Sequence, residues 1–267
     1  MITFNNFSTT HVEIFGYGIS NAGCKKDVAN ALSFMSEKTS TRYMACANPH
    51  SLVIAEKDPF FKKALLNADI LLPDGSGIIL AAKALKIPLS EKVAGTDFFL
   101  EMNRMAQEHG GIRYFFLGAT DDVLNLIRIR LEHEYPHIEF TGSYSPPFKK
   151  DFSEEENELM LSCIRKARPD VLWVGLSAPK QEKWIYQNLN KLDVSFCGAI
   201  GAVFDYYAGT KKRSSDFWIN LGLEWLPRFL AEPKRLWDRN LKSTPIFLSW
   251  ILKEKIKQIL LLKHHNP

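Results

Sequence analysis

The first place in this chain where chemistry could occur is an aspartate at the end of an apolar run, followed at once by glycines. In ADILLPDGSGIILAAKAL, Asp74 closes what reads as a buried strand, and Gly75-Ser76-Gly77 leads into a helix. A carboxylate there faces the crevice outside the strand ends, and the glycines let a diphosphate approach the unpaired amides of the helix start. The same residue could equally cap the helix or close a turn, and spacing alone does not decide between these roles. VLWVGLSAPKQEKW repeats the order of strand, loop and helix with Pro179, Lys180 and Gln181 at the turn. Lys180 suits a phosphate and Gln181 a polar ligand, although an ordinary helix start would carry the same residues.

Three further patterns bear on the chemistry. IFGYGIS offers Gly16 and Gly18 at another strand-to-helix turn but lacks the third glycine of a dinucleotide fingerprint. HEYPH, from His133 to His137, spells the H-E-x-x-H zinc pattern, yet Pro136 disfavours helix at Tyr135, so the two imidazoles should not share a helical face and no metal site is expected. No D-x-D pair, a usual magnesium clamp for a diphosphate, occurs. Cations would then come from the protein itself. Arg228, Arg235 and Arg239 share one helical side if Pro233 bends the chain little, while a snorkelling basic face is the plainer reading of the three.

Placing such residues is the task of the elements between them. Short apolar runs alternate with helical periodicity, which predicts an α/β protein with a Rossmann-like, doubly wound, mostly parallel sheet. Strands are expected at HVEIFG, RYMACA, ADILL, RYFFLG, HIEFTG, DVLWVG and VSFCGAI, and helices around residues 25–37, 78–85, 97–108, 123–134, 154–167 and 181–190. After Gly201 only helical pattern follows, with Pro227, Pro233 and Pro245 each expected to end or kink a helix. The chain therefore divides into a catalytic sheet domain, 1–204, and a C-terminal helical appendage, 205–267.

Composition sets the outer bounds. With 267 residues, 46% apolar and 24% charged, the chain reads as globular and soluble, large enough to hold a core without disulfides or a structural metal. Cys24, Cys46, Cys163 and Cys197 form no C-x-x-C pair, which favours reduced thiols in a cytosol. The start, MITFNNFSTTHVEIFG, lacks the pattern of a signal peptide, and the apolar stretch from Ile246 to Leu252 is far shorter than the roughly 20 residues of a membrane span. Charge is lopsided: from Asp205 onward there are 12 Lys and Arg against 6 Asp and Glu, together with four of the six tryptophans. Phosphate-rich ligands or an anionic membrane surface fit such a tail, and no nucleic-acid partner is expected.

ANPHSLVIAEKDPFF, ADILLPDGSGI, EKVAGTDFF, VGLSAPKQEKW, GAIGAVFDYYAG and GLEWLPRFLAEPKRLWDRN together resemble the WecG/TagA/CpsF family of bacterial glycosyltransferases, from Val12 to Leu252 and in the same order. The resemblance implies transfer of a sugar from a UDP-sugar to a saccharide on a polyprenyl diphosphate, with inversion to a β linkage and without metal or other cofactor. It implies work for cell-surface polysaccharide synthesis, in the cytoplasm and peripheral on the inner face of the bacterial cytoplasmic membrane, and leaves a homo-oligomer open. Carried over by position, Asp74 is the general base. Asn48 belongs to the donor pocket, Gln181 to the A-P-K-Q-E turn and Asp205 to the acidic site near the nucleotide. Gly75 and Thr96 join the substrate-binding set, and Arg228, Arg235 and Arg239 are the tail arginines that close over the diphosphate. One position departs: many members carry Thr where this chain has Cys46, and a thiol is a weak donor.

Two rivals come from other classes. A nucleotide-binding oxidoreductase would share the sheet but should show a full G-x-G-x-x-G with an acidic residue about 20 positions on. A non-catalytic membrane adaptor would account for the tail but gives Asp74 and the A-P-K-Q-E turn no role. If the appendage completes the site, a chain ending near Ala208 keeps its sheet and loses catalysis, and one ending near Lys242 loses mainly membrane binding.

Overall fold

The computed structural model describes residues 10–37, 40–221, 223–233 and 237–264. The strand expected at HVEIFG is one arm of a hairpin outside the main sheet: β1 (His11–Ile14) turns through Phe15 and Gly16 into antiparallel β2 (Tyr17–Ser20). Phe15 and Gly16 both have positive φ, 52° and 79°, the backbone of a two-residue turn whose twist suits paired strands. IFGYGIS is therefore a hairpin and not a strand-to-helix phosphate turn, which corrects the expectation placed on Gly16 and Gly18.

Beyond it run α1 (Cys24–Glu37), β3 (Arg42–Ala47), α2 (Pro49–Ala55), α3 (Pro59–Leu66), β4 (Ile70–Pro73), α4 (Ser76–Leu85), α5 (Gly95–His109), β5 (Ile112–Gly118) and α6 (Asp121–Glu134). They are followed by β6 (Ile138–Tyr144), α7 (Glu154–Ala167), β7 (Val171–Gly175), α8 (Lys180–Asn188), β8 (Phe196–Ala199) and α9 (Val203–Ala208). The six strands β3 to β8 form one parallel sheet in the order β4-β3-β8-β7-β5-β6. This is the doubly wound α/β arrangement that the alternating pattern predicts. Its last strand, β8, lies beside its first, β3, so turns far apart in the chain meet at one edge.

Side-chain alternation along the strands separates two faces. On β3, Met44 faces a core with Val28, Phe98, Phe99, Trp173 and Phe204, so α1, α5, α6 and α9 cover that side. Tyr43, Ala45 and Ala47 face the other side, where α7 and α8 pack near β5 and β7 and the hairpin, α2 and α4 pack near β3 and β4. Gly198 in β8 lets the sheet hold the Trp173 indole, because a Cβ there would overlap the ring.

After α9 the chain is helical, as expected: α10 (Asp216–Asn220), α11 (Trp225–Ala231), a π-helical stretch (Asp238–Ser243) and α12 (Thr244–His264). Pro227 and Pro245 sit in the first turns of α11 and α12. Pro227 begins α11, where a first-turn residue has no amide bond to lose, while Pro245 directly follows the π-helical stretch, at the change from π to α winding. α12 returns to the body of the protein. Phe247 (1% exposed) and Ile251 (8%) are buried in the cluster of Ile14, Tyr17 and Leu52, and Phe15 meets the rings of Phe247 at 5.4 Å and Trp250 at 5.7 Å. No described helix is long and apolar enough to cross a membrane. In HEYPH, α6 stops at Glu134 and Tyr135 leaves the helix, so His133 ends one element while His137, bonded through Nδ1 to the Gln107 carbonyl at 3.1 Å, lies beyond it.

Candidate active site

The carboxyl edge of β3, β4 and β8 gathers most of the residues singled out by sequence. Asp74 immediately follows β4, and its amide donates to the Ala47 carbonyl at 2.8 Å. That bond extends the ladder between β3 and β4 by one step and sets half-buried Asp74 beside Asn48. Asn48 caps α2: Oδ1 accepts from the Ser51 amide at 3.0 Å while Ser51 Oγ accepts from the Asn48 amide at 2.8 Å. This reciprocal cap uses the carbonyl oxygen and none of the side chain's N–H donors.

The glycines of D-G-S-G have separate duties. Gly75 has φ +97° and ψ 150°, a conformation for which a side chain would be strained, and its missing Cβ would stand 3.8 Å from Asn48 Cβ. A Cβ on Gly77 would overlap the Pro49 ring. The starts of α2 and α4 can therefore approach closely only because position 77 is glycine. The α2 start has its Ser51 amide taken by Asn48 and none at Pro49, whereas α4 has no side-chain cap, so its first-turn amides beside Asp74 are the ones that favour an anion.

Thr96 arrives from a third segment. The Val93 amide donates to the Pro73 carbonyl at 3.1 Å, which leads the chain across the end of β4 into α5. A Cβ on Gly95 would meet Cys46 Sγ at 3.3 Å and Ile200 and Val203 at 3.8 Å, so the start of α5, with half-buried Thr96, rests on the ends of β3 and β8. The Cys46 thiol is thus packed under that start.

Gln181, in the first turn of α8, reaches across to β8. Its Oε1 lies 3.2 Å from where a Cβ on Gly201 would stand. One turn further, Asp205 in α9 accepts from Thr210 Oγ1 at 3.2 Å and pairs with Lys211 at 3.3 Å. Lys180 is engaged elsewhere: its Nζ donates to the Lys149 carbonyl at 2.6 Å and stands 3.8 Å from the centre of the Phe152 ring, where burial lowers its pKa. Arg235 lies outside the described residues, as do the side chains of Arg228 and Arg239.

Two groups at this edge escape a reading by sequence. Arg213 Nη1 donates to Asp97 Oδ1 at 2.8 Å, and its Nε is 3.7 Å from Glu224, which also pairs with Lys92 at 3.0 Å. Burial opposes the Arg213 charge, but Asp97, Glu224 and Asp74 outweigh it and raise the pKa of the guanidinium. Hidden in the K-K-R run, Arg213 looks like one more surface cation. Glu182 is the second: buried beneath the turn, its carboxyl is pushed up to about 7 by desolvation, against the hydrogen bond from Gln181. Only its place in A-P-K-Q-E marked it.

A doubly wound sheet whose strand ends bring together a carboxylate, converging helix starts and hydrogen-bonding side chains is built for group transfer from an anionic donor. The chain belongs to the Glycosyl transferase WecG/TagA/CpsF family, which it matches over residues 12–260. It is similar to the N-acetylglucosaminyldiphosphoundecaprenol N-acetyl-beta-D-mannosaminyltransferase of Staphylococcus aureus strain NCTC 8325 / PS 47, with 29% identity over 251 residues, 94% of this chain and 95% of that one. The protein of the same name from strain MRSA252 is similar to the same degree.

Proposed function

We propose that the protein is an inverting, metal-independent glycosyltransferase that moves a sugar from a UDP-sugar to a saccharide carried on a polyprenyl diphosphate. The observation that carries this reading is the meeting of Asp74 with Asn48 at the paired starts of α2 and α4. A sugar hydroxyl is a poor nucleophile at neutral pH, so a carboxylate must take its proton as the oxygen attacks the anomeric carbon. Asp74 serves as that base. The bond from the anomeric carbon to the diphosphate breaks, UDP leaves with the electron pair, and an α-linked donor becomes a β-linked product. Charge grows on the departing diphosphate, where helix amides and arginines stabilise it more than they stabilise the bound donor. Asn48, Gly75, Thr96, Gln181 and Asp205 hold the donor in this reading. Arg228, Arg235 and Arg239 supply the cations that a metal would otherwise bring.

The division into a catalytic sheet, 1–204, and a membrane-associating appendage, 205–267, is a functional one. Leu248, Leu252, Ile256 and Ile259 of α12 are exposed on one helical stripe, beside the face buried through Phe247 and Ile251. Lysines 253, 255 and 257 flank that stripe. Apolar residues bordered by lysines suit the inner, anionic surface of the cytoplasmic membrane, where a polyprenyl acceptor resides.

The names of the relatives make UDP-N-acetylmannosamine and N-acetylglucosaminyl-diphosphoundecaprenol the first pair to test. UDP release that requires both substrates and persists in excess EDTA supports the reading. Failure of every UDP-sugar with every lipid-linked acceptor ends it, and loss in EDTA restored by magnesium ends the metal-independent part.

A further inference from the structure

Gln181 and Glu182 are neighbours in the first turn of α8, and both are buried, at 5% and 2% exposure. Gln181 Nε2 donates to Glu182 Oε1 at 2.9 Å. When ionised, the Glu182 carboxylate can only accept, so the amino end of the amide faces it and the carbonyl end faces away. That carbonyl oxygen points to the turn after β8. It stands 3.2 Å from the site of a Cβ on Gly201, a residue with no side chain to fill the space. Neither Gln181 Oε1 nor Glu182 Oε2 has a hydrogen-bond partner among the described residues, although both atoms are buried. A buried acceptor left without a donor destabilises the fold. Two of them side by side, at the edge that also carries Asn48 and Asp74, mark a place where a ligand supplies the donors.

We infer that Glu182 is a positioning residue: it locks the Gln181 amide with its carbonyl oxygen outward beside Gly201, to accept a hydrogen bond from a hydroxyl or N–H group of the nucleotide sugar. Without the carboxylate, the amide could rotate by half a turn and offer N–H groups to a ligand that is itself a donor. The inference rests on the reading of this edge as a UDP-sugar site. It assigns the buried glutamate a part in ligand selection without contact to the reacting atoms.

The test is Glu182→Gln, which keeps shape and burial but replaces a carboxylate that can only accept with an amide able to turn either its oxygen or its N–H groups to Gln181, so that the Gln181 amide is no longer locked. The expected result is a rise of about 10-fold in KM for the UDP-sugar with kcat within about twofold, the scale of one hydrogen bond. Titration calorimetry with UDP and with the UDP-sugar then separates the two sources of the donor. An equal loss for both ligands puts it on the uridine, and a loss confined to the UDP-sugar puts it on the sugar. The exchanged pair, Gln181→Glu with Glu182→Gln, again turns an acceptor toward Gly201 and should recover part of the affinity, which a merely structural glutamate would not do. Affinity and KM equal to wild type in a folded Glu182→Gln protein overturn the inference, as does an exchanged pair no better than that single variant. If wild type binds neither UDP nor any UDP-sugar, the reading of the site falls and the inference with it.

Discussion

Arg213 and Asp97 meet at 2.8 Å and tie the segment that leads into the C-terminal helices to the first turn of α5. The same Asp97 caps α5 by accepting from the Ala94 amide at 3.2 Å, so one carboxylate holds both the helix start beside the candidate site and the segment that carries Arg213. A hydrogen-bonded charge pair of this exposure contributes about 1 to 2 kcal/mol. Arg213→Ala should therefore lower kcat/KM by about 10-fold, with Arg213→Lys intermediate because a point charge replaces a fork. Steady-state kinetics checks this, and a wild-type kcat/KM in the alanine variant would mean that the segment stays docked without the pair.

Asp74→Asn keeps size and polarity and removes the base. Turnover should fall by about 100-fold or more while the affinity for UDP stays within a few-fold of wild type. Single-turnover assays combined with UDP titration read the two separately; rapid turnover by the variant would remove Asp74 from the role of base.

Gly77→Ala tests whether the paired helix starts matter. The added methyl must push α4 away from Pro49 of α2, an overpacking change that costs about 1 to 3 kcal/mol. Denaturant unfolding should show that loss, and kcat/KM should fall in the folded protein, because Asn48 and Asp74 stand at the separated starts. An unfolding midpoint and kinetics like those of wild type would show that the interface yields without consequence.

Stability should decline as pH rises through the weakly acidic range. Desolvation lifts the Glu182 carboxyl from an ordinary 4.5 to about 7, and that of Asp27 from 3.8 to about 6 against the pull of the Ser20 hydroxyl. Both groups hold their protons more tightly in the folded chain than in the unfolded one. Folding thus loses free energy from about pH 4 until the pH has passed about 7, and is level once both have ionised above that. The Glu182 share is on the order of 3 kcal/mol. Thermal unfolding of Glu182→Gln from pH 5 to 8 should show a shallower decline and a higher Tm than wild type at pH 8; parallel curves would place the Glu182 proton affinity near its ordinary value.

The two faces of α12 call for different substitutions. Leu252→Glu with Ile256→Glu alters only exposed positions and should abolish sedimentation with anionic vesicles at low salt while preserving Tm within about 2 °C. A chain cut near Lys242, by contrast, loses Phe247 and Ile251 from the core and should be destabilised by roughly 3 to 6 kcal/mol. It does more than weaken membrane binding. Vesicle binding unchanged in the double variant would remove α12 from the membrane surface.

The strands of the main sheet could be read from sequence because each is a short apolar run with a turn signal after it, and Asp74, Asn48 and Gln181 stand where those runs stop. The hairpin is not legible, because Gly16 and Gly18 punctuate YGIS as they would a phosphate loop; only pairing with HVEI distinguishes the two. α2 and α3, between β3 and β4, have only two turns each, too short for a helical period to emerge from the sequence. Glu182 and Arg213 were hidden for another reason. A charged residue carries no sign of burial in its own type, and what buries each of these comes from segments distant in the chain.

The clasp between Phe15 and Phe247 joins a hairpin to a helix that is made about 230 residues later. Translation at about 5 to 20 residues per second separates the two by roughly 10 to 50 s. Throughout that interval the apolar side of the hairpin has no α12 to cover it, and the nascent chain carries an open core even after all six strands of the sheet have emerged from the ribosome.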